Sequence, residues 1–401
     1  MHRTRGRTLS VLLAASLLGP AGVVAVAPPV ALGATCSVTL GAKHYTSLTT
    51  AIAKAPAGAT LTVSGSCRGA FTVTKKLTLK SGSPAGILKG AAATVLTVNG
   101  GPLKVIGLTI TGGKATTCPT LTNAACGGGI VVASGVTLSL SRVRLIGNQV
   151  VGAGLRPIAY GGAIFSQGTV TIVASTISGN SVTGTSFGIG GAVDQAGGSL
   201  TIRRSLLSAN SASGDGRAVG GAIAATSAAV TITDSTLSGN HVSSAGTTDG
   251  GAYVDAADSP TNPSLHLSGS TVTLNDGGPG GTGGIIANGD VHIDSTIIAG
   301  NTGSPPDCSL GNAVSLNLSD DLVGVATGCG AFTNGVDGNL VGADPALAPL
   351  ANNGGPTRTH RLLNGSDAIG AAGAGPCLTD TDQRGVHRPQ GAACDIGAYE
   401  R

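Results

Sequence analysis

The chain has 401 residues, of which 41% are hydrophobic and 10% charged, with a formal charge of +4. Arg3, Arg5 and Arg7 supply that excess, and the remainder carries 20 basic against 19 acidic residues. So weak a field, with no Trp and four Tyr, excludes an electrostatic or stacking platform for nucleic acid or an anionic membrane.

The chain opens with those three Arg, followed by an apolar stretch from Leu9 to Leu18 and then small residues. This order predicts a secretory signal over residues 1–34, cleaved after Ala34. Pro28-Pro29 interrupts the stretch, which argues against a continuous membrane helix. Thr35 before Cys36 argues against a lipoprotein, and there is no twin-Arg pair. The mature chain is therefore expected to be secreted, extracellular or attached to the cell surface, and to be monomeric, with no transmembrane segment.

All eight Cys lie beyond the signal. In an exported chain an even number of Cys implies disulfides, and eight allow 105 pairings. Pairing of neighbours is preferred because each pair then brackets a local segment: Cys36 with Cys67, Cys118 with Cys126, Cys308 with Cys329, and Cys377 with Cys394. Zinc is disfavoured, since no C-x₂-C or His/Cys cluster exists.

Residues 35–70 contain the only short helix candidate, Leu48 to Ala55, which suits a cap over the N-terminal end of the repeats. Those repeats occupy residues 71–343. A phrase recurs as STISGN (Ser175 to Asn180), SLLSAN (Ser205 to Asn210), STLSGN (Ser235 to Asn240) and STVTLN (Ser270 to Asn275). STIIAGN ends at Asn301, and the diverged SRVRLIGN ends at Asn148. Glycine pairs beginning at Gly128, Gly161, Gly190, Gly220, Gly250 and Gly283 stand 33, 29, 30, 30 and 33 residues apart. A fixed period of this length means stacked units rather than one globular core. The 67 Gly show no Gly-X-Y period, so they read as turns and close backbone stacking.

Within each repeat the apolar residues alternate, as in Leu138/Leu140, Val170/Ile172, Leu200/Ile202, Val230/Ile232, Leu265/Leu267 and Val291/Ile293. That is the period of a strand with one buried face. Each repeat offers three short strands, at Gly-Gly-Ala-Ile, at the alternating run and at Ser-Thr-Ile-Ser. Three strands per turn without a helix predict an all-β fold, a parallel β-helix of roughly nine or ten coils. A propeller lacks its fourth strand and aromatic signature, and the leucine-rich pattern is absent. The recurring Asn tolerates the left-handed conformation and is expected to stack at about 4.8 Å into a side-chain ladder.

Between each Asn and the next glycine pair runs a loop, and stacked loops form a wall where solenoids bind ligands. Its distinctive residues are Arg156, Tyr160, Phe187, Asp215, Arg217, His241 and Asp249. Tyr160 or Phe187 would stack on a sugar face, and Arg217 would pair with a carboxylate. An enzyme would need clustered carboxylates, often holding Ca²⁺, with a base beside them. The candidates are scattered: Asp194, Asp255, Asp258, Asp276, Asp290 and Asp294. Asp194 and Asp255 are expected at similar positions of the repeat, two coils and about 10 Å apart. Asp320 and Asp321 would face opposite ways in a strand, and Arg203 and Arg204 read as a solvated edge. No catalytic residue, cofactor or metal ligand is assigned.

The body resembles the bacterial right-handed parallel β-helix repeat proteins of the pectate-lyase-like superfamily. Cys36-Ser-Val, Tyr45-Thr-Ser-Leu-Thr-Thr-Ala-Ile and Gly65-Ser-Cys67 are similar to the opening of its secreted members. Residues 344–401 carry Asp344-Pro345, Leu350-Ala-Asn-Asn-Gly-Gly-Pro-Thr357, Gly365-Ser-Asp-Ala-Ile369, Thr381-Asp-Gln-Arg-Gly385 and Cys394-Asp-Ile-Gly-Ala-Tyr-Glu400. This looks like a choice-of-anchor Q domain. The resemblance implies export and a surface setting. No apolar tail or sorting motif follows Glu400, a departure from the family pattern that puts covalent anchoring in doubt. The segment is expected to cap the last coil, with Leu347, Leu350, Leu362, Leu363, Ile369 and Ile396 as its apolar set. Its Asp380, Asp382, Asp395 and Glu400 are expected to pair with Arg384 and Arg388, with a structural Ca²⁺ as the alternative. The function favoured is a non-catalytic adhesion, carbohydrate-binding or structural envelope protein, with a polysaccharide or another cell-surface component as partner. The alternative is a lyase or hydrolase of an acidic polysaccharide.

Overall fold

The computed structural model describes residues 35–401 except 155–156, 256–262, 312, 331 and 374. The expected signal, Arg156 and Asp258 lie outside the described residues. The chain winds into a parallel β-solenoid. Three sheets of twelve, eleven and nine strands run its length, and, apart from the antiparallel Ser37–Leu40 and Lys43–Tyr45 at the start, each strand pairs in parallel with its counterpart one coil away. One complete coil shows the plan: Val193–Gln195, Ser199–Arg203 and Leu206–Ser208 fall in the nine-, twelve- and eleven-stranded sheets. The inward columns are those that the alternation marks. Leu138, Val170, Leu200, Val230, Leu265 and Val291 are register neighbours and are buried.

The middle coils carry five strands, not three. The expected loops are themselves strands, such as Ser211–Gly214 going out and Arg217–Val219 coming back. Each set stacks into a parallel five-stranded sheet. The two sheets pack face to face as a thin fin. Its interior is small: Val150, Val182, Ala212 and Val242 from one side meet Ala125, Ala159 and Ala218 from the other. The glycine pairs form the fin's neck. The first glycine of most pairs takes a positive φ, for example +69° at Gly190. A Cβ on the second, Gly191, would sit 2.6 Å from the Ser211 backbone carbon, so only glycine lets the two walls close.

The asparagine ladder is present. Asn148, Asn180, Asn210, Asn240, Asn275 and Asn301 are all buried. The Asn180 backbone N–H and Nδ2 both donate to Asn210 Oδ1, at 3.1 and 2.9 Å, and Asn210 repeats this toward Asn240. The last acceptor is Asp307 Oδ1, which takes both donors of Asn301. The left-handed residue is not the Asn but the one before it: Gly147, Gly179, Ala209, Gly239, Leu274 and Gly300. A second ladder runs alongside. The Ser175 N–H donates to Ser205 Oγ, and the relay continues through Ser235, Ser270, Thr296 and Asp321 to Asn339. Asp320 takes a positive φ at the corner and Asp321 is buried, so this pair does not sit in a strand.

The helix Leu48–Lys54 closes the first coil. Ser47 caps its N-terminus, Lys75 Nζ donates to the Ala53 and Ala55 carbonyls, and Leu48, Ala51 and Ile52 enter the main core. At the other end of that core stand Leu310, Leu318, Phe332 and the Cys308–Cys329 pair. The segment after Asp344 covers a flank of the stack, where an end cap was expected. Gln383 accepts from Thr236 Oγ1, His360 bonds Ser238 Oγ, and the Ala398 N–H donates to Thr271 Oγ1. Leu362, Ala368, Ile396 and Tyr399 pack on Ile297, Ala299 and Leu322. Leu363 and Ile369, expected inside, are exposed. The acid–arginine pairing is seen for Asp382 and Glu400. Arg384 reaches Asp382 at 2.7 Å and stacks over Tyr399, and Arg388 reaches Glu400 at 3.0 Å.

The four cysteine pairs are those of neighbours, Cys36–Cys67, Cys118–Cys126, Cys308–Cys329 and Cys377–Cys394, with Cα–Cα distances of 4.5 to 5.7 Å. Replacing Cys36 and Cys67 together by Ser should lower stability by about 3 kcal/mol, through the larger entropy of the opened chain. Denaturant unfolding measures this, and an unchanged midpoint would contradict it.

Candidate functional site

Where the fin leaves the stack, its returning sheet and the outer face of the nine-stranded sheet make a groove of about 420 Å³. Its floor is one outward column of register neighbours, Phe165, Asp194 and Ala224. Its wall is formed by two columns on either side of the fin's inward alanines. Ile158, Phe187 and Arg217 make one, and Tyr160, Ile189 and Val219 the other. Leu121 stands at one end, on the loop that the Cys118–Cys126 disulfide closes. Tyr160 and Phe165 pack with ring centroids 5.7 Å apart.

Asp194 is the anomaly of this apolar floor. It is 1% exposed, and its Oδ2 has no hydrogen-bond partner. Burial raises its pKa to about 8, so it is a neutral carboxyl at pH 7. Burial also raises the Tyr160 phenol, and the nearby Asp194 adds to that shift. Arg217 is not a free cation: its Nε donates to Asp249 Oδ2 at 2.8 Å. The groove thus presents apolar and aromatic surface, the Gln167 and Thr226 side chains, one carboxyl and an ion-paired guanidinium. That composition suits an amphipathic ligand with one hydrogen-bonding edge.

Of the wall residues expected from sequence, the structure brings Tyr160, Phe187 and Arg217 together here, with Asp249 beside Arg217. His241 belongs to the other fin sheet and pairs with Asp276 at 3.0 Å, and Asp215 is exposed at the fin's tip. The carboxylates do not form a pair. Asp194 aligns with Ala224 and Val254, whereas Asp255 aligns with Ala225 and Gln195. The two are offset by one residue and face opposite sides of their sheet, which corrects their expected equivalence. Asp255 is instead bonded by the N–H groups of Asn288 and Gly289. Asp290 and Asp294 lie on the twelve-stranded sheet, where Asp294 meets His292 at 2.7 Å.

Phe165, Ile158, Ile189, Val219 and Leu121 were not expected from sequence. The signal was there: Phe165 follows the inward Ile164, so a Phe at an outward position had to be covered by something. No family model, curated protein or solved structure matches the chain. No helix among the described residues is long and apolar enough to cross a membrane, and no group of three His, Cys, Asp or Glu among them could hold a metal ion.

Proposed function

We propose that the protein is an exported, surface-associated binding protein whose groove between fin and stack holds a carbohydrate without turning it over. The observation that carries this reading is the groove itself: Tyr160 and Phe187 on its wall and, on its floor, a buried Asp194 carboxyl whose Oδ2 has no partner among the described residues. A sugar offers an apolar face to an aromatic ring and a hydroxyl or ether edge to a carboxyl. The four disulfides support an oxidising compartment. The N-terminal charge and apolar pattern, and the likeness of residues 344–401 to a choice-of-anchor domain, support export to the surface. The lyase reading draws no support from the groove, where Arg217 is already paired and Asp194 and Asp255 face apart.

Binding of the mature chain to a panel of immobilised oligosaccharides tests this reading. Saturable binding is expected, weakened about tenfold by Phe187→Ala, the loss of one stacking contact. Absence of any saturable binding would leave a purely structural role. Release of unsaturated products from a polyuronate would make the protein a lyase.

A further inference from the structure

The groove's charges select among carbohydrates. We propose that its ligand is a neutral saccharide that accepts a hydrogen bond from the protonated Asp194 carboxyl, and that acidic saccharides are excluded. This rests on the binding reading above and adds the ligand class and its pH dependence.

Three features lead to it. The floor around Asp194 is Phe165 and Ala224, and neither supplies a donor to a carboxylate. Among the described residues, the charged or titratable groups that line the groove with Asp194 are Tyr160 and Arg217. Arg217 is held by Asp249 at 2.8 Å, so among the described residues no unpaired cation awaits a uronate, sulfate or phosphate. A bound anion would be desolvated against aromatic rings with no cation among the described residues to offset it, and a single neutral carboxyl cannot supply that charge.

In its neutral form Asp194 has an O–H to give and no protein acceptor to take it. A ring or glycosidic oxygen of a neutral sugar, an acceptor with no proton of its own, completes that bond. Deprotonation would leave a carboxylate facing the same oxygen lone pairs, so the charged form is incompetent. With its pKa raised to about 8 by burial, Asp194 is protonated at neutral pH and loses its proton just above it. Apparent affinity then falls with the protonated fraction, by about tenfold at a pH one unit above the pKa.

Calorimetric titration of the mature chain decides this. Neutral oligosaccharides and oligouronates of matched length are titrated at about pH 6 and about pH 9. Neutral ligands should bind at the lower pH and weaken about tenfold at the higher, while oligouronates do not bind at either. Asp194→Asn keeps an uncharged donor and should bind neutral ligands equally at both pH values. Oligouronates binding as tightly as neutral ligands would overturn the proposal while sparing the binding reading. An equal alkaline loss in Asp194→Asn would also overturn it, by placing the titrating group elsewhere. If no saccharide binds at either pH, the binding reading fails and this inference fails with it.

Discussion

Asp194→Asn should be more stable than the natural chain at neutral pH, and the advantage should grow with pH. The sign comes from proton linkage. Burial raises the Asp194 pKa to about 8, against 3.8 for the ordinary group. Between those values the unfolded chain releases the proton and the folded chain keeps it. The unfolded state then binds fewer protons, so stability falls as pH rises, by about 1.4 kcal/mol per unit. At about pH 4 the two proteins should unfold alike, and at about pH 7 the variant should lead by about 4 kcal/mol. Denaturant unfolding of both across this range measures the difference directly. A constant difference would mean that Asp194 ionises inside the fold as it does in water. Other buried carboxyls push the whole protein the same way. Desolvation raises Asp255 and Asp307, Asp321 lies well above its ordinary value, and Asp234 reaches about 6. The natural chain should accordingly be at its most stable in mild acid.

The solenoid was legible because its signals are local and repeated. The period-2 alternation and the recurring Asn each describe contacts between a residue and its copy one coil away. The fin was not legible for the same physical reason in reverse. Ser211–Gly214 and Arg217–Val219 carry no clear apolar alternation, and they become strands because copies above and below supply their partners. Their core of Ala and Val is too small to announce itself in composition. The groove depends on the fin, so its floor was equally hidden. The misplacement of Asp255 shows how little error is tolerated. Tyr253 stands where Asp194's coil has Val193, and Asp255 lies two residues beyond it instead of one. A one-residue offset moves a side chain to the opposite face of a strand. The flank docking of residues 344–401 rests on partners more than a hundred residues away, such as Thr236 with Gln383, which no periodicity reports. The hydroxyl ladder was within reach: each Ser or Thr of the recurring phrase occupies the same position, immediately after a left-handed corner such as Ala174, Arg204 or Asp234.

Removing one rung of the asparagine ladder should be among the most destabilising single substitutions in the stack. Asn210 makes four buried bonds in which its side chain is donor or acceptor. Its Oδ1 accepts from the Asn180 N–H and Nδ2, and its Nδ2 donates to the Ile177 carbonyl and to Asn240 Oδ1. Asn210→Ala leaves two donors of Asn180 without an acceptor, and no water reaches them because the site is fully buried. Stranded buried donors cost far more than the net contribution of a bond, so the expected loss is about 4 kcal/mol. Ser213→Ala supplies the control. Its hydroxyl also meets the neighbouring coil, at Thr183 Oγ1, but in an exposed pair, and its loss should stay within about 0.5 kcal/mol. Asn210→Asp separates the two halves of the rung. A carboxyl still accepts from Asn180 but no longer gives an N–H to Ile177 and Asn240, and it faces the Asn240 oxygen. Asp307 shows where an acceptor alone suffices, at the end of the ladder, where Asn301 donates to it and no further Asn comes after. In the middle, Asp should destabilise increasingly as pH rises, whereas the Ala variant should lose the same amount at every pH. Denaturant midpoints of the three variants at two pH values distinguish these outcomes. A loss below about 1 kcal/mol for Asn210→Ala would mean that the paired strands hold each coil in place and the ladder merely fills the corner.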